Sequence, residues 1–220
     1  MVQKEPKRRG RPREYDPDAA LARATESFWE RGYSGTSLDE LSEATGMNRP
    51  SLYGAFGDKR DIYLKALARY WESSFVGIEE MLDRRRPLRE ALQRLYDKAL
   101  SSYLAGKSGP RGCFAIGTAT TEALRDAQIR TSLAAGLRHI DEAFAARIRF
   151  ARDRGELPDE ADADALAMLA SATLHTLAIR SRAGATRTAL QAIVDMTLDI
   201  ICGRKHSMTR ARPRPNPGGG

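Results

Sequence analysis

A chain of 220 residues, 41% of them hydrophobic, is long enough to bury a substantial core and too apolar for the disordered class. No stretch approaches the roughly 18 uninterrupted apolar residues that a membrane helix needs, which excludes a membrane partner. The basic N-terminus is not followed by the apolar segment of a secretory signal, so we expect a cytoplasmic protein.

The net charge of +7 is concentrated at the two ends of the sequence. Residues 1–15 contain six basic and two acidic side chains, whereas residues 203–220 contain five basic side chains and no acidic ones. We therefore predict a disordered basic arm over residues 1–15 and a disordered basic tail over residues 204–220. Such segments commonly contact polyanions, although for the tail a role in solubility alone is equally consistent.

Residues 16–62 carry the start and stop signals of three short helices. Asp16 is an N-cap residue ahead of the first helix, which Gly32 ends. Ser37 and Glu40 form a capping box, in which the serine caps the backbone and the glutamate reaches back to the N-cap, so a second helix begins there.

The third of these helices is only two turns long. The second helix ends at Gly46, and Asn48 caps the third, which ends at Gly57. Pro50 is tolerated because it falls in the first turn, where the backbone N–H has no intrahelical partner. A helix this short is marginal in isolation, so it must pack on its neighbours. Two short helices joined in this way form a helix-turn-helix, whose second helix enters the major groove of DNA.

Helical periodicity continues through the rest of the sequence, and no alternating strand pattern occurs. In the clearest case, from Ile129 to Ile148, apolar residues recur every three or four positions. We predict an all-α protein of about nine helices. Besides the helix around Ile129, the later helices begin near Asp58, Pro87, Cys113, Asp162 and Thr186.

The helix-turn-helix segment resembles the TetR family of transcriptional repressors. The residues that match the family pattern are Thr36, Ser37, Leu38, Leu41, Ser42, Gly46, Met47, Ser51, Leu52, Tyr53, Phe56 and Lys59. The resemblance implies a DNA-binding domain over residues 16–62 and a helical ligand-binding and dimerisation domain over residues 63–203. It implies a ligand-responsive, dimeric repressor that binds a pseudo-palindromic operator and is neither an enzyme nor dependent on a cofactor or metal.

The resemblance also assigns DNA contacts to individual residues. It places Tyr53 and Lys59 on phosphates, with Ser37 at its helix N-terminus acting similarly, and it places Arg49 and Ser51 on bases. Thr36 and Asn48 complete the set of DNA-binding residues that we predict in the helix-turn-helix domain. Family members often carry bulky aromatic residues or histidine where this sequence has Gly54 and Ala55, so we expect base readout to rely on Arg49, Asn48 and the basic arm.

The basic arm contains the segment RRGRPR, which resembles the core of an AT-hook. Arg9 and Arg11 flank its central glycine. Arginines in such segments are drawn into the narrow minor groove by its negative potential. We expect these two residues to bind the minor groove beside the helix-turn-helix; a merely basic disordered arm is the alternative.

The remaining family roles fall on the later helices. The last two helices would pair with their copies in a four-helix dimer interface, for which we predict Leu166, Leu169, Leu174, Leu190, Ile193, Val194, Thr197 and Ile201. The middle helices would enclose a cavity for an unidentified small-molecule effector, with candidate lining residues Trp71, Phe75, Tyr103, Phe114, Phe144 and His175.

Cys113 is the remaining candidate for chemistry, because it follows Arg111 at a predicted helix start. A helix N-terminus and a nearby cation both lower the pKa of a thiol, and the position resembles that of electrophile- or oxidant-sensing family members. We favour a buried, unreactive cysteine over a sensor, because cysteine is among the residue types most often buried. A helical thiol enzyme with His139 or His175 as base, and a regulator that activates transcription, are the competing functions.

Overall fold

The computed structural model describes residues 16–106 and 109–204, so the basic arm with Arg9 and Arg11 and the tail from residue 205 lie outside the described residues. In these two ranges the chain forms helices and no strands, which confirms the predicted all-α class. The helices are α1 Pro17–Arg31, α2 Leu38–Thr45, α3 Arg49–Phe56, α4 Lys59–Met81, α5 Leu88–Leu104, α6 Phe114–Glu122, α7 Ala127–Asp153, α8 Ala163–Arg182 and α9 Arg187–Cys202.

The first three helices begin at the capping residues that the sequence predicts. Ser37 Oγ accepts a hydrogen bond from the backbone N–H of Glu40, whose carboxylate accepts one in return from the N–H of Ser37. Asn48 Oδ1 accepts from the N–H of Ser51 at 2.9 Å. Gly46 ends α2 with φ of 70°, a left-handed conformation in which glycine lacks the Cβ clash of other residues.

The helices α1, α2 and α3, which we call the head, pack on the start of α4 around a small apolar core. Phe28 of α1, Leu41 of α2 and Leu52 of α3 are at most 1% exposed. Tyr63 of α4 contacts Phe28 edge to face, with ring centroids 5.2 Å apart. These contacts stabilise the two-turn helix α3, which could not persist in isolation.

Helix α4 is continuous from Lys59 to Met81 and passes through the predicted domain boundary between residues 62 and 63. Its first turns belong to the head core, and its later turns contribute Trp71 to the core of the larger half. One continuous helix thus spans the predicted boundary between the DNA-binding and ligand-binding domains, and the division of function there stays a prediction.

The larger half is a bundle in which α7, α8 and α9 pack on α4 and α5. Phe144 and Ile148 of α7 are fully buried. The Trp71 ring lies against the backbone of Gly136, where a Cβ atom would approach within 2.3 Å of the ring, so that position accepts no side chain. None of the helices in the described ranges combines the length and the apolar character that spanning a bilayer requires.

Candidate nucleic-acid interface and central cavity

The outer face of the helix-turn-helix is polar and accessible. Tyr53 is 46% exposed, and Asn48, Arg49 and Ser37 are also exposed. Ser37, Asn48 and Arg49 lie at the N-terminal ends of α2 and α3, where free backbone N–H groups and the helix dipole favour phosphate, and Tyr53 lies one turn further along α3. The structure thus brings four of the predicted DNA-binding side chains to one surface.

Arg49 is held by an acidic residue that sequence reasoning missed. Its Nε and Nη2 atoms donate to the two carboxylate oxygens of Asp39 on α2, at 2.9 and 2.6 Å. These hydrogen bonds raise the pKa of Arg49, so the guanidinium stays charged. The ion pair fixes the orientation of the Arg49 guanidinium. A DNA base would have to compete with Asp39 for the same N–H donors. Spacing alone gave no signal for this pair, because its partners are on different helices.

Two of the predicted DNA-binding positions, Lys59 and Thr36, differ from the expectation of a free surface side chain. The ammonium of Lys59 lies 4.5 Å from the centroid of the Tyr33 ring, and partial burial lowers its pKa. Thr36 is fully buried, and its hydroxyl donates to the carbonyl of Gly32 at 2.7 Å. The predicted DNA contact of the Thr36 side chain is therefore wrong, because this hydroxyl closes the turn between α1 and α2.

A central cavity of about 310 Å³ lies among α4, α5, α6, α7 and α8. The predicted lining residues Trp71, Tyr103, Cys113 and His175 do line it, together with residues that the sequence did not single out. Phe114 and Phe144 do not line it; they are fully buried in the core. Phe75 also lies outside it, stacked on Trp71 and His139. The added lining residues are Trp29, Tyr70, Ser73, Ser74, Gly77, Ile78, Met81, Leu95, Lys98, Ala99, Ser102, Ile116, Ile140 and Leu174.

The environment of Cys113 disfavours the thiolate, which agrees with a buried cysteine rather than with an activated one. Burial raises its pKa, and this outweighs the hydrogen bonds from the first turn of α6. Its sulfur lies 3.0 Å from the Tyr70 hydroxyl. The guanidinium of Arg111 turns away toward Glu26, at 2.6 Å, and the Trp29 ring. The expected cation effect is thus absent.

One contact joins the head directly to the start of α6. The indole N–H of Trp29, on α1, donates to the carbonyl of Gly112 at 3.1 Å. The same ring is covered by the guanidinium of Arg111, 3.8 Å from its centroid, and lines the central cavity. The head and the cavity therefore share a side chain.

Two further contacts tie the first turns of α4 to α6 and α7. The Tyr63 hydroxyl lies 2.7 Å from Thr118 Oγ1. Arg60 forms a two-pronged ion pair with Asp126, the N-cap of α7. This pairing lowers the pKa of Asp126 to about 2 from an ordinary 3.8. The orientation of the head is thus fixed by polar contacts as well as by packing.

The outward face of the last two helices differs from the predicted dimer face. Leu166, Leu169 and Ile193 are half-buried. The residues Leu174, Leu190, Val194, Thr197 and Ile201 are at most 5% exposed. The assignment of those five side chains to a partner is wrong, because they pack in the core of their own chain. The large apolar side chains that α8 and α9 leave exposed are Met168, Ile179, Met196 and Ile200.

The comparisons with known proteins agree with this geometry. Residues 20–66 match the model of bacterial regulatory proteins of the tetR family, and residues 87–197 match the tetracyclin repressor-like C-terminal domain. The chain belongs to the TetR family. Members of this family are transcriptional regulators rather than enzymes, so the thiol-enzyme alternative is rejected and the protein is a DNA-binding regulator of the TetR type.

Individual TetR relatives resemble the chain over most of its length. The transcriptional repressor ComR of Escherichia coli is 32% identical over 88% of this chain and 92% of the relative. The regulator YezE of Bacillus subtilis is 30% identical over 87% of this chain and 99% of its own. A cysteine-substituted CifR regulator, solved with a 26-base-pair operator DNA, superposes with a TM-score of 0.73 at 34% identity and covers 86% of this chain and 98% of that one.

The Arg60–Asp126 pair predicts a specific dependence of stability on pH. The folded-state pKa of Asp126 is below its unfolded value, so its stabilising effect is present above about pH 4 and is lost as the pH falls toward 2. Asp126→Asn keeps the helix cap and removes the charge. We expect the variant to be less stable than the wild type at pH 7 in urea unfolding, with the gap closing between pH 4 and 2.

The double variant with Arg60→Gln provides the control for this measurement. The coupling free energy between the two positions should fall together with the gap as the pH is lowered. A coupling that stays constant over this range would contradict the assignment of the low pKa to the ion pair.

Proposed function

We propose that this protein is a dimeric repressor that leaves its operator when a small molecule occupies the central cavity. The observation that carries the proposal is the shared position of Trp29, which lines the cavity and also bonds α1 of the head to the start of α6. A ligand that displaces the Trp29 ring or α6 would move the head relative to the bundle. In a dimer this would change the spacing between two heads, and operator half-sites tolerate little change in spacing.

In this proposal the polar face of the head reads DNA. Arg49, Asn48 and Ser51 meet bases, whereas Tyr53 and Lys59 contact phosphates, with Ser37 acting through its helix N-terminus. The basic arm adds the minor-groove contacts of Arg9 and Arg11. The arm matters because residues 16–60 contain eight acidic and five basic side chains, so the head lacks the surplus of positive charge that most DNA-binding domains use.

The dimer would form through the exposed apolar face of α8 and α9. Met168, Ile179, Met196 and Ile200 are each more than half exposed, which is unusual for large apolar side chains on paired helices. The half-buried Leu169 and Ile193 adjoin them in sequence. A two-fold axis would place this face against its own copy.

Release by thiol modification remains part of the proposal, but the structure makes it secondary. Burial raises the pKa of the Cys113 thiol and leaves the residue only 8% exposed, so an oxidant or electrophile must first enter the cavity to react. Reaction would then add bulk beside Tyr70, the partner of the thiol. Entry into the cavity is thus the step that a small-molecule effector and a thiol-reactive compound have in common.

The proposal is tested first with DNA fragments tiled across the region upstream of the protein's own gene. Fluorescence anisotropy at physiological salt should show one fragment bound at least about a thousandfold tighter than random duplex. Equal binding to all fragments and to random duplex would contradict a specific operator there. A reporter placed behind the bound fragment separates repression from activation, since a repressor lowers its expression.

Arg49 and Lys59 should affect this binding in different ways. Arg49→Ala should cost about 1–3 kcal/mol on the operator and much less on random duplex, because it removes a base contact. Lys59→Ala should weaken both DNAs similarly and reduce the slope of log affinity against log salt by about one. Equal effects of Arg49→Ala on both DNAs would contradict its role as a base-reading residue.

The exposed face of α8 and α9 should control the oligomeric state. Ile200→Glu introduces two charges into a two-fold interface and should raise the dimer dissociation constant about a hundredfold or more. Leu124→Glu changes a side chain that is 82% exposed on the turn before α7 and is the matched control. Analytical ultracentrifugation should give the 24.3 kDa chain mass for the first variant and twice that mass for the control. A dimeric Ile200→Glu protein would place the interface elsewhere.

A further inference from the structure

The central cavity has one charged side chain among the described residues that line it. That side chain is Lys98 of α5. No carboxylate and no guanidinium of the described residues lines the cavity, and burial lowers the pKa of His175, which favours its neutral form. The ammonium of Lys98 forms no ion pair with a described residue. The cavity therefore offers a positive charge without its own counter-ion.

The charged group of the cavity lies on its open side, whereas the buried part of the lining is mainly apolar and aromatic, with the Tyr70 and Tyr103 hydroxyls and the Cys113 thiol among its polar groups. Lys98 and Ser73 are exposed and lie on the facing helices α5 and α4, so they mark the open side. Ser102 lies one helical turn after Lys98, on the same face. The opposite wall is made by buried side chains such as Ile140 and Leu174. A ligand that fits this arrangement has a polar head at the open side and an apolar body inside.

A second donor in the cavity wall also lacks a partner. Trp71 lines the cavity, is 6% exposed, and its indole N–H makes no hydrogen bond with any described residue. A buried N–H left without an acceptor costs about 1–3 kcal/mol, so such groups are normally paired. An acceptor oxygen on a ligand that reached this N–H would remove the cost, which is compatible with a ligand that carries acceptors.

From these observations we propose that the effector is an amphipathic monocarboxylate, with its carboxylate at Lys98 and Ser102 and its apolar body along the aromatic wall. The inference rests on the function proposed above, in which a small molecule fills this cavity. A cationic amine is disfavoured because it would meet Lys98 and no carboxylate. A phosphate ester is disfavoured because one lysine leaves most of a double negative charge unpaired in an apolar cavity.

Intrinsic fluorescence can test this directly, because the two tryptophans of the sequence, Trp29 and Trp71, both line the cavity. The full-length protein is titrated with octanoate, octanamide and octylamine, which share one apolar chain. Octanoate should bind about tenfold tighter than octanamide, the gain expected from a charge-assisted hydrogen bond, and octylamine should bind most weakly.

Variants locate the charge that makes the difference. Lys98→Gln should remove the preference for octanoate by weakening octanoate binding far more than octanamide binding, whereas Lys98→Arg should retain the preference. Arg94→Gln removes an exposed positive charge one turn earlier on α5, outside the cavity, and should change neither affinity. Trp71→Phe, followed through Trp29, should weaken octanoate binding about threefold to tenfold if its N–H donates to the ligand.

The proposal would be overturned by equal affinities for octanoate and octanamide, by a preference for octylamine, or by no saturable change with any of the three. A preference that survives Lys98→Gln would also overturn it. Operator binding measured in parallel separates this result from the proposed function. Carboxylate binding that depends on Lys98 but leaves the DNA complex intact would support the inference on the ligand and contradict release by effector.

Discussion

The hydrogen bond from Trp29 to the carbonyl of Gly112 is the contact on which the proposed coupling of the two halves rests. Trp29 is the last aromatic side chain of α1, and its ring is packed edge to face against Tyr70 of α4 and Phe114 of α6. Gly112 has φ of 64°, and a Cβ atom there would approach within 2.7 Å of the Ala178 carbonyl oxygen on α8. The loop before α6 is therefore held between the head and the back of the bundle, at a position where glycine is required.

This joint places the DNA-reading surface and the cavity on the same set of rigid helices. Helix α4 begins in the head and ends in the bundle, and α6 carries both Cys113 at its cap and Thr118, which bonds Tyr63. In the proposed mechanism, a movement of α6 reaches α1 and α4 together, because packed interiors deform little. Linkage is reciprocal, so DNA that selects one arrangement of the head must also change the cavity.

The sequence was sufficient to predict the helices, because their ends are set by local chemistry. Caps such as Asp16, Ser37 and Asn48 satisfy backbone groups within three residues, and the structure confirms all three. Four of the proposed cavity residues do line it, but Phe75, Phe114 and Phe144 do not, because helical spacing identifies a buried face and not the part of that face that borders a cavity. The head could be placed in a family because its turn and packing residues have fixed spacing.

Long-range contacts account for what the sequence could not show. Helix α9 is apolar on nearly every side, so periodicity gave no means of telling its inner face, with Val194, from its outer face, with Met196. The pKa of Cys113 is raised by burial, which only the tertiary packing around α6 creates, and its hydroxyl partner Tyr70 lies on a different helix. The pairing of Arg49 with Asp39 joins two helices whose crossing is a tertiary feature.

Hydrogen–deuterium exchange with and without bound operator tests the coupling most directly, because it needs no knowledge of the effector. If the joint transmits the state of the head, DNA should slow the exchange of backbone amides in residues 109–117, the loop and first turn of α6, as well as in α2 and α3. The same experiment with random duplex controls for charge alone. Slower exchange confined to α2 and α3 would contradict the coupling, since the cavity wall would then be unaffected by DNA.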